Sequence, residues 1–189
     1  MGSFWGHLKT VTKHRTLVMV HCFKVGLIWR GLTHDLSKYS PTEFLAGVRY
    51  YQGTRSPNTA EREANGYSLA WMHHKGRNKH HFEYWTDLKP GTRQYEPVPM
   101  PTEYLVEMCM DRIAACKTYR GAAYKPSDPL EYLDRARESP LMHEETLRKT
   151  RFLLQMLAER GEAETFRYIR RHVLRGEDFA QAPASAGMP

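Results

Sequence analysis

The sequence has few cysteines and no long hydrophobic run. Its three cysteines, Cys22, Cys109 and Cys116, are an odd number and include no CxxC pair. This argues against a disulfide framework and favours reduced thiols in a cytoplasmic protein. The longest apolar run is about four residues (17–20), whereas a membrane span needs roughly 20. The N-terminus also lacks a signal-peptide pattern. We therefore expect neither a secreted disulfide scaffold nor a membrane protein.

The alternation of apolar and polar residues that marks β-strands persists nowhere in the chain. Apolar residues instead recur at three- and four-residue steps, which predicts amphipathic helices. The predicted helices cover residues 4–31, 41–51, 60–74, 80–85, 102–119, 130–137, 143–160 and 163–174. Gly66 is expected to bend the third helix, Gly161 separates the last two, and the proline-rich segment 90–101 is a predicted linker. The sequence thus predicts an all-α fold.

Positive charge is in excess. The chain has 28 lysines and arginines against 21 aspartates and glutamates, a net charge of +7. Such a balance favours partners that carry phosphate: nucleotides, nucleic acid or small phosphate esters. A cationic surface that only aids solubility explains the same charge, and composition leaves both interpretations open.

Histidines are concentrated in one stretch, WMHHKGRNKHHFEYW at 71–85. Four of the ten histidines lie there, and an earlier stretch, HDLSK at 34–38, places His34 beside Asp35. Imidazole and carboxylate groups bind Fe, Mn, Zn, Ni and Co ions. We expect the two stretches to meet around one or two divalent transition-metal ions. The clustered histidines are His73, His74, His80 and His81.

The histidine cluster also has a second interpretation. It is interspersed with Lys75, Arg77 and Lys79, a pattern that also occurs in a basic surface that binds a phosphate backbone. Asp111 borders the apolar stripe of its predicted helix, where a carboxylate is costly unless it is paired with an arginine or bound to a metal. His14 lies at the apolar register of the first helix, where a core histidine is the usual interpretation. The remaining histidines are expected to be structural.

Taken in chain order, these elements resemble the HD-domain superfamily of metal-dependent phosphohydrolases. The elements are His14, the dyad in HDLSK, the histidine cluster, and Asp111 in MDRIAA. The resemblance spans residues 14–120. Separately, HDLSKYSPTEF and HHKGRNKHHFEYW resemble an uncharacterised family of small bacterial and phage proteins. The HD-domain resemblance implies an HD-like metal-binding helical domain over residues 1–137, with helices packed on it over 138–175. The tail over 176–189 is rich in small residues and proline and is expected to be disordered.

The HD-domain resemblance also implies roles for individual residues. One metal is held by His14, His34, Asp35 and Asp111, and a second by His74 with either His80 or His81. Asp35 bridges the two ions and takes part in catalysis.

The implied reaction is hydrolysis of a phosphate ester, such as a nucleotide. Lys38, three residues after the dyad, is the best candidate to hold phosphate charge, and Arg77, Asn78 and Lys79 are further candidates. Glu83 is a candidate proton carrier, with Glu43 as the alternative, although a helix-surface acid or a helix cap explains each equally well. Trp71, Tyr84 and Trp85 either stack on a substrate ring or belong to the core.

Two other functions fit the same residues. Some HD-like proteins hold two irons and activate dioxygen, so a di-iron oxygenase is the first alternative. The second is a basic helical module that binds nucleic acid without catalysis. The sequence leaves open whether the C-terminal helices only cap the core or form a homo-oligomer.

Overall fold

The computed structural model describes residues 2–135 and 141–180. It contains eight α-helices and one small sheet within these residues, which confirms the all-α prediction. None of the described helices is both long enough and apolar enough to cross a membrane. The elements are α1 (Gly2–Val25), α2 (Ile28–Thr33), α3 (Pro41–Arg49), α4 (Pro57–Asn65), α5 (Leu69–Lys75), β1 (Thr86–Leu88), β2 (Tyr95–Pro97), α6 (Thr102–Arg120), α7 (Asp128–Arg135) and α8 (Glu144–Arg171).

The core lies where α1, α6 and α8 pack against one another. Each helix supplies an apolar stripe, as the three- and four-residue spacing predicts. The largest fully buried apolar side chains are Val18 of α1, Leu105, Met110 and Ile113 of α6, and Leu153, Leu154, Leu157 and Ile169 of α8. All three cysteines are free thiols, and Cys22 and Cys109 lie in this core. The core holds α1 and α6, which both carry predicted metal ligands, in a fixed relation.

The prediction of one helix over residues 4–31 is wrong at its C-terminal end. The chain breaks at Gly26, whose φ of +98° is poorly accessible to residues with a side chain. It then folds back as α2, which packs against α1. Gly31 allows this close approach, because a Cβ there would lie 2.9 Å from Cys22 Cβ. The reversal brings residues 34 and 35 back beside the middle of α1.

The predicted helix over residues 60–74 is two helices, α4 and α5. Gly66, with φ of +81°, ends α4, and Ser68 begins α5 by accepting a hydrogen bond from Trp71 N. Ser68 itself donates to the buried Glu61 carboxylate at 2.5 Å. The change of direction lets α5 pack on α3.

Two further expectations need correction. Residues 80–85 form no α-helix, and only Phe82–Tyr84 make a 3₁₀ turn. The expected linker is partly a β-hairpin, in which Thr86–Leu88 pairs antiparallel with Tyr95–Pro97. Strands of three residues are too short to show alternation in the sequence.

The C-terminal part agrees with the helical prediction where it is described. Gly161 interrupts α8 with φ of +74°, at the predicted break. Residues 176–180, the start of the expected disordered tail, are placed in the structure, and Phe179 is buried in the core. Residues 181–189 of that tail and the predicted helix end at residues 136–137, with the domain boundary there, lie outside the described residues.

His21 should make the protein sensitive to acid. Its ring is 1% exposed, faces Met110 O and Lys117 Nζ, and has its pKa lowered by burial and by Lys117 from 6.5 to about 4. The unfolded state therefore takes up a proton at a higher pH than the folded state does. Stability should be complete above pH 6.5 and fall by about 3 kcal/mol as the pH approaches 4.

Urea denaturation across this pH range, compared with His21→Asn, measures the effect. Asparagine keeps a donor for Met110 O and does not titrate, so the variant should lose less stability between pH 6.5 and 4 than the wild type does. Equal pH dependence in both proteins would contradict the assignment. His172→Asn is the matched control, because His172 is exposed and pairs with Glu177.

Candidate metal centre

The structure brings all seven predicted metal ligands together around Asp35. One group consists of His14 of α1, the adjacent His34 and Asp35, and Asp111 of α6; its ligand atoms lie within 4.8 Å of one another. The ligand atoms of a second group, which shares Asp35 with the first, also lie within 4.8 Å of one another. It consists of Asp35, His74, His80 and His81.

The two oxygens of Asp35 face different groups. Oδ2 lies 3.3 Å from His34 Nε2 and 3.9 Å from His14 Nε2. Oδ1 lies 3.3 Å from His74 Nε2 and 3.4 Å from His80 Nε2. Ligand atoms about 2.1 Å from one ion lie roughly 3–4 Å apart, so these separations suit metal binding. The described geometry therefore has the form of two adjacent metal positions joined by one carboxylate.

Asp111 completes the first group from the other side. Its Oδ1 lies 2.9 Å from His14 Nε2 and 3.8 Å from His34 Nε2, and its Oδ2 lies 4.0 Å from His80 Nε2. Its ion-pair partners among the described residues are thus histidines and not an arginine. Burial acts to raise the pKa of Asp111, but His14 and the neighbouring histidines lower it well below its ordinary value.

Atoms that face the centre are buried without a hydrogen bond of acceptable geometry. An unsatisfied buried polar atom costs about 1–3 kcal/mol. Two of the seven atoms at this place lie near a charged partner, Asp35 Oδ2 near Lys38 Nζ and His14 Nε2 near Asp111 Oδ1. A metal ion accepts lone pairs from nitrogen and oxygen alike and would satisfy all seven atoms. They are Nε2 of His14, His34, His74, His80 and His81, and both carboxylate oxygens of Asp35.

Two further glutamates lie behind the histidines. Glu107 Oε1 accepts from His34 Nδ1 at 2.9 Å and lies 3.3 Å from His80 Nδ1. Glu43 Oε2 accepts from His74 Nδ1 at 2.8 Å. An imidazole that donates from Nδ1 keeps its lone pair on Nε2, so these glutamates direct the three Nε2 atoms toward the centre.

Glu107 is better explained as a hydrogen-bond acceptor than as a metal ligand. His34, His80 and Glu107 satisfy the distance criterion for a third ion. However, that ion would need the Nδ1 lone pairs of two rings whose Nε2 atoms already face the centre. A neutral imidazole has one lone pair available, since its other nitrogen carries the proton.

The backbone at Asp35 explains how two adjacent side chains converge. Asp35 has φ 53° and ψ 27°, the left-handed conformation that aspartate and asparagine adopt more readily than most residues. It lies between α2 and the 3₁₀ turn Leu36–Tyr39. Because the chain turns sharply here, His34 and Asp35 both face the centre.

Neighbouring charges shift the pKa values of His34 and Asp35 at the centre. Burial acts to raise the pKa of Asp35, but His34 and Lys38 hold it well below its ordinary value. Burial acts to lower the pKa of His34, yet Asp35 and Glu107 raise it to about 10. Metal binding to His34 must therefore displace a proton, which makes the affinity depend on pH.

Lys38 is the predicted phosphate-binding residue that lies in the centre. Its Nζ is 2.7 Å from Asp35 Oδ2, and its side chain is 27% exposed. Burial acts to lower the pKa of Lys38, but Asp35 and Asp111 raise it, so the side chain is a cation. It is the one lysine or arginine in the described residues that pairs directly with Asp35.

The other predicted substrate-binding residues have protein partners. Arg77 is exposed and donates to His73 O, and Lys79 is exposed with Nζ 5.8 Å from the ring centroids of Tyr84 and Tyr104. Asn78 donates to Ser37 Oγ and to His74 O, both at 2.8 Å. Asn78 thus supports the second group, and substrate binding by these three residues stays a prediction.

Glu83, Trp71 and Trp85 have different surroundings in the structure. Burial raises the pKa of Glu83, and its Oε2 has no hydrogen-bond partner among the described residues. Trp71 packs edge-on against His81, with ring centroids 4.7 Å apart, so it forms a wall of the second group. Trp85 packs on Tyr104 at the edge of the core.

Comparison with known proteins identifies a family whose function is unknown. A family model described as a family of unknown function, DUF5662, matches residues 3–156. The chain belongs to the DUF5662 family. No curated protein and no solved structure matches it. The matched region of this DUF5662 protein contains every residue of both groups, so the centre lies inside the family's own domain.

Proposed function

We propose that this protein is a metal-dependent hydrolase of a phosphate ester, with a nucleotide or a related phosphorylated compound as substrate. The supporting observation is the pair of buried groups that share Asp35, one carboxylate oxygen facing each. A set of imidazoles and carboxylates suits Fe, Mn, Zn, Ni or Co, whereas Mg²⁺ and Ca²⁺ prefer oxygen ligands alone. Bound divalent ions would supply a water of lowered pKa and neutralise phosphoryl charge.

The residues of the chain determine what the centre can accept. At the centre, the side chains of Asp111 and Lys38 are partly exposed, at 17% and 27%. The side chains of His34 and Asp35 are at most 1% exposed. Substrate therefore has access beside Lys38, whose ammonium group would pair with a phosphoryl oxygen. Glu83, two residues after His81, stays the predicted group that holds or releases a proton, and burial raises its pKa.

Lys38 also favours a hydrolase over a di-iron oxygenase. A cation close to metal ligands opposes metal binding by charge repulsion, so its presence needs a compensating role. An anionic substrate supplies that role, because it pairs with the ammonium group when it binds. Dioxygen is neutral and gains nothing comparable from this cation.

Replacing Lys38 with glutamine should lower phosphate ester hydrolysis. We expect kcat/KM to fall about 100-fold, because one charged donor to a developing oxyanion contributes roughly that factor. Metal content should not fall, because Lys38 is not a ligand and its positive charge opposes metal binding. The assay uses Mn²⁺-, Fe²⁺- and Zn²⁺-loaded protein with p-nitrophenyl phosphate, bis-p-nitrophenyl phosphate and nucleoside monophosphates.

Lys89→Gln is the matched control and should keep wild-type activity, since the Lys89 side chain is exposed and pairs with Glu96 of the β-hairpin. Absence of hydrolysis by the wild type with every ion and substrate would overturn the proposal. Oxygen consumption by the iron-loaded protein would then support the oxygenase. Salt-dependent binding of nucleic acid that survives chelation would support the binding module.

A further inference from the structure

We infer that Glu107 is a shared positioning residue that couples the two metal positions. This inference rests on the metal centre of the proposed function. Glu107 does not face that centre; it lies behind two of its histidines, one from each group. Its loss should therefore weaken both positions together, although it is a predicted ligand of neither.

The coupling depends on a single oxygen atom. The same Glu107 oxygen, Oε1, lies 2.9 Å from His34 Nδ1 and 3.3 Å from His80 Nδ1. The two rings lie close together, with centroids 4.4 Å apart and planes at 38°. A carboxylate oxygen has two lone pairs and accepts both N–H groups. A shift of this oxygen would thus turn both rings, and with them both Nε2 atoms.

The other oxygen of Glu107 is held from the outside. Arg30 Nη1 lies 3.4 Å from Oε2, and Arg30 Nη2 lies 3.4 Å from Glu103 Oε1. The guanidinium group lies over the Tyr104 ring, with Cζ 3.6 Å from the centroid. Glu107 is itself 5% exposed. A buried carboxylate fixed at both oxygens has little freedom to move, which is what a positioning role requires.

Glu43 offers a comparison within the same centre. It also accepts from two imidazoles, but one oxygen accepts from His73 at 2.6 Å and the other from His74 at 2.8 Å. His73 belongs to neither group. Glu43 therefore orients a histidine of one metal position, whereas Glu107 orients histidines of both. The two glutamates make a matched pair for experiment.

The test compares metal binding by wild-type, Glu107→Gln and Glu43→Gln proteins. Each is titrated with Co²⁺, Mn²⁺ and Zn²⁺ by calorimetry, and bound metal is counted by elemental analysis. Loss of an outer hydrogen-bond partner typically costs about 10- to 100-fold in metal affinity. We expect Glu107→Gln to weaken both equivalents by that factor and Glu43→Gln to weaken one.

A spectroscopic readout separates positioning from general damage. In Co²⁺-loaded protein, the exchangeable Nδ1–H protons of bound imidazoles give NMR lines displaced far from the normal range. Glu107→Gln should move two such lines and Glu43→Gln one, while a merely structural defect would move none selectively. If Glu107→Gln does not fold, Glu107→Asp is used instead, because its shorter side chain displaces the carboxylate and should move the same two NMR lines.

The outcomes distinguish the inference from the function on which it rests. Wild-type protein that binds no metal contradicts the metal centre itself. Wild-type protein that binds two ions, of which Glu107→Gln weakens only one or neither, overturns the coupling and leaves the metal centre intact. A third bound ion that Glu107→Gln removes would show that Glu107 is a ligand and would also overturn the positioning role.

Discussion

Replacing Asp35 with asparagine should leave the purified protein with no tightly bound metal. Both groups lose a carboxylate oxygen at once, because Oδ2 faces one and Oδ1 faces the other. Asparagine fits the same space and tolerates the left-handed conformation, so the backbone should stay in place. The amide is a much weaker ligand than a carboxylate, and its nitrogen has no lone pair to donate. We expect one to two equivalents of transition metal in the wild type and background levels in Asp35→Asn.

Elemental analysis of protein purified without a chelator or a histidine tag measures this. His34→Ala should also abolish bound metal. His172→Ala is the control, since His172 is exposed and pairs with Glu177 away from both groups. Equal metal content in all four proteins, or none in any after reconstitution, would exclude the metal centre.

Gly47→Ala should destabilise the fold strongly. A Cβ at this position would lie under 3.0 Å from three ring atoms of His7, so α1 and α3 would be forced apart. The His7 ring cannot retreat easily, because Phe44 and Tyr51 pack against it at centroid distances of 5.1 and 5.9 Å. Overpacking of this kind costs about 3 kcal/mol. Since α3 carries Glu43, metal affinity of the second group should fall as well.

Urea denaturation compares the wild type, Gly47→Ala and the double variant His7→Ala/Gly47→Ala. Removal of the ring makes room for the added methyl group, so the double variant should be more stable than Gly47→Ala alone. A single variant as stable as the wild type would contradict the close packing, and a double variant no better than the single would show that the ring is not the cause.

The sequence was informative about the centre because metal ligands are distinctive residue types. Adjacent His34 and Asp35 and the clustered histidines predict a shared centre before any fold is known, the HD-domain resemblance adds Asp111, and the structure brings them together. Whether His80 or His81 belongs to the second group stayed open from spacing, and in the structure both do. His80 and His81 differ in exposure and in hydrogen bonds. These differences depend on the conformation of the loop that holds them, which the spacing of apolar residues does not predict.

Other features depended on contacts that the sequence does not reveal. Glu107 resembles any charged residue of a solvated helix; its one signal is that it precedes Asp111 by four residues and so shares a helical face with it. The reversal at Gly26 was missed because the apolar spacing continues across it into α2. The sequence also does not reveal the contacts of Asn78, whose side-chain amide donates to Ser37 Oγ and to His74 O.

The positive φ of Asp35 also bears on how this position can change in evolution. A single nucleotide change in an aspartate codon yields asparagine, glutamate, glycine, alanine, valine, histidine or tyrosine. Asparagine and glycine accept the backbone but carry no carboxylate, while glutamate keeps the carboxylate on a longer side chain that suits the turn poorly. No one-step replacement preserves both the turn and the charge. Descendants of this gene should therefore either retain aspartate here or lose the centre as a unit.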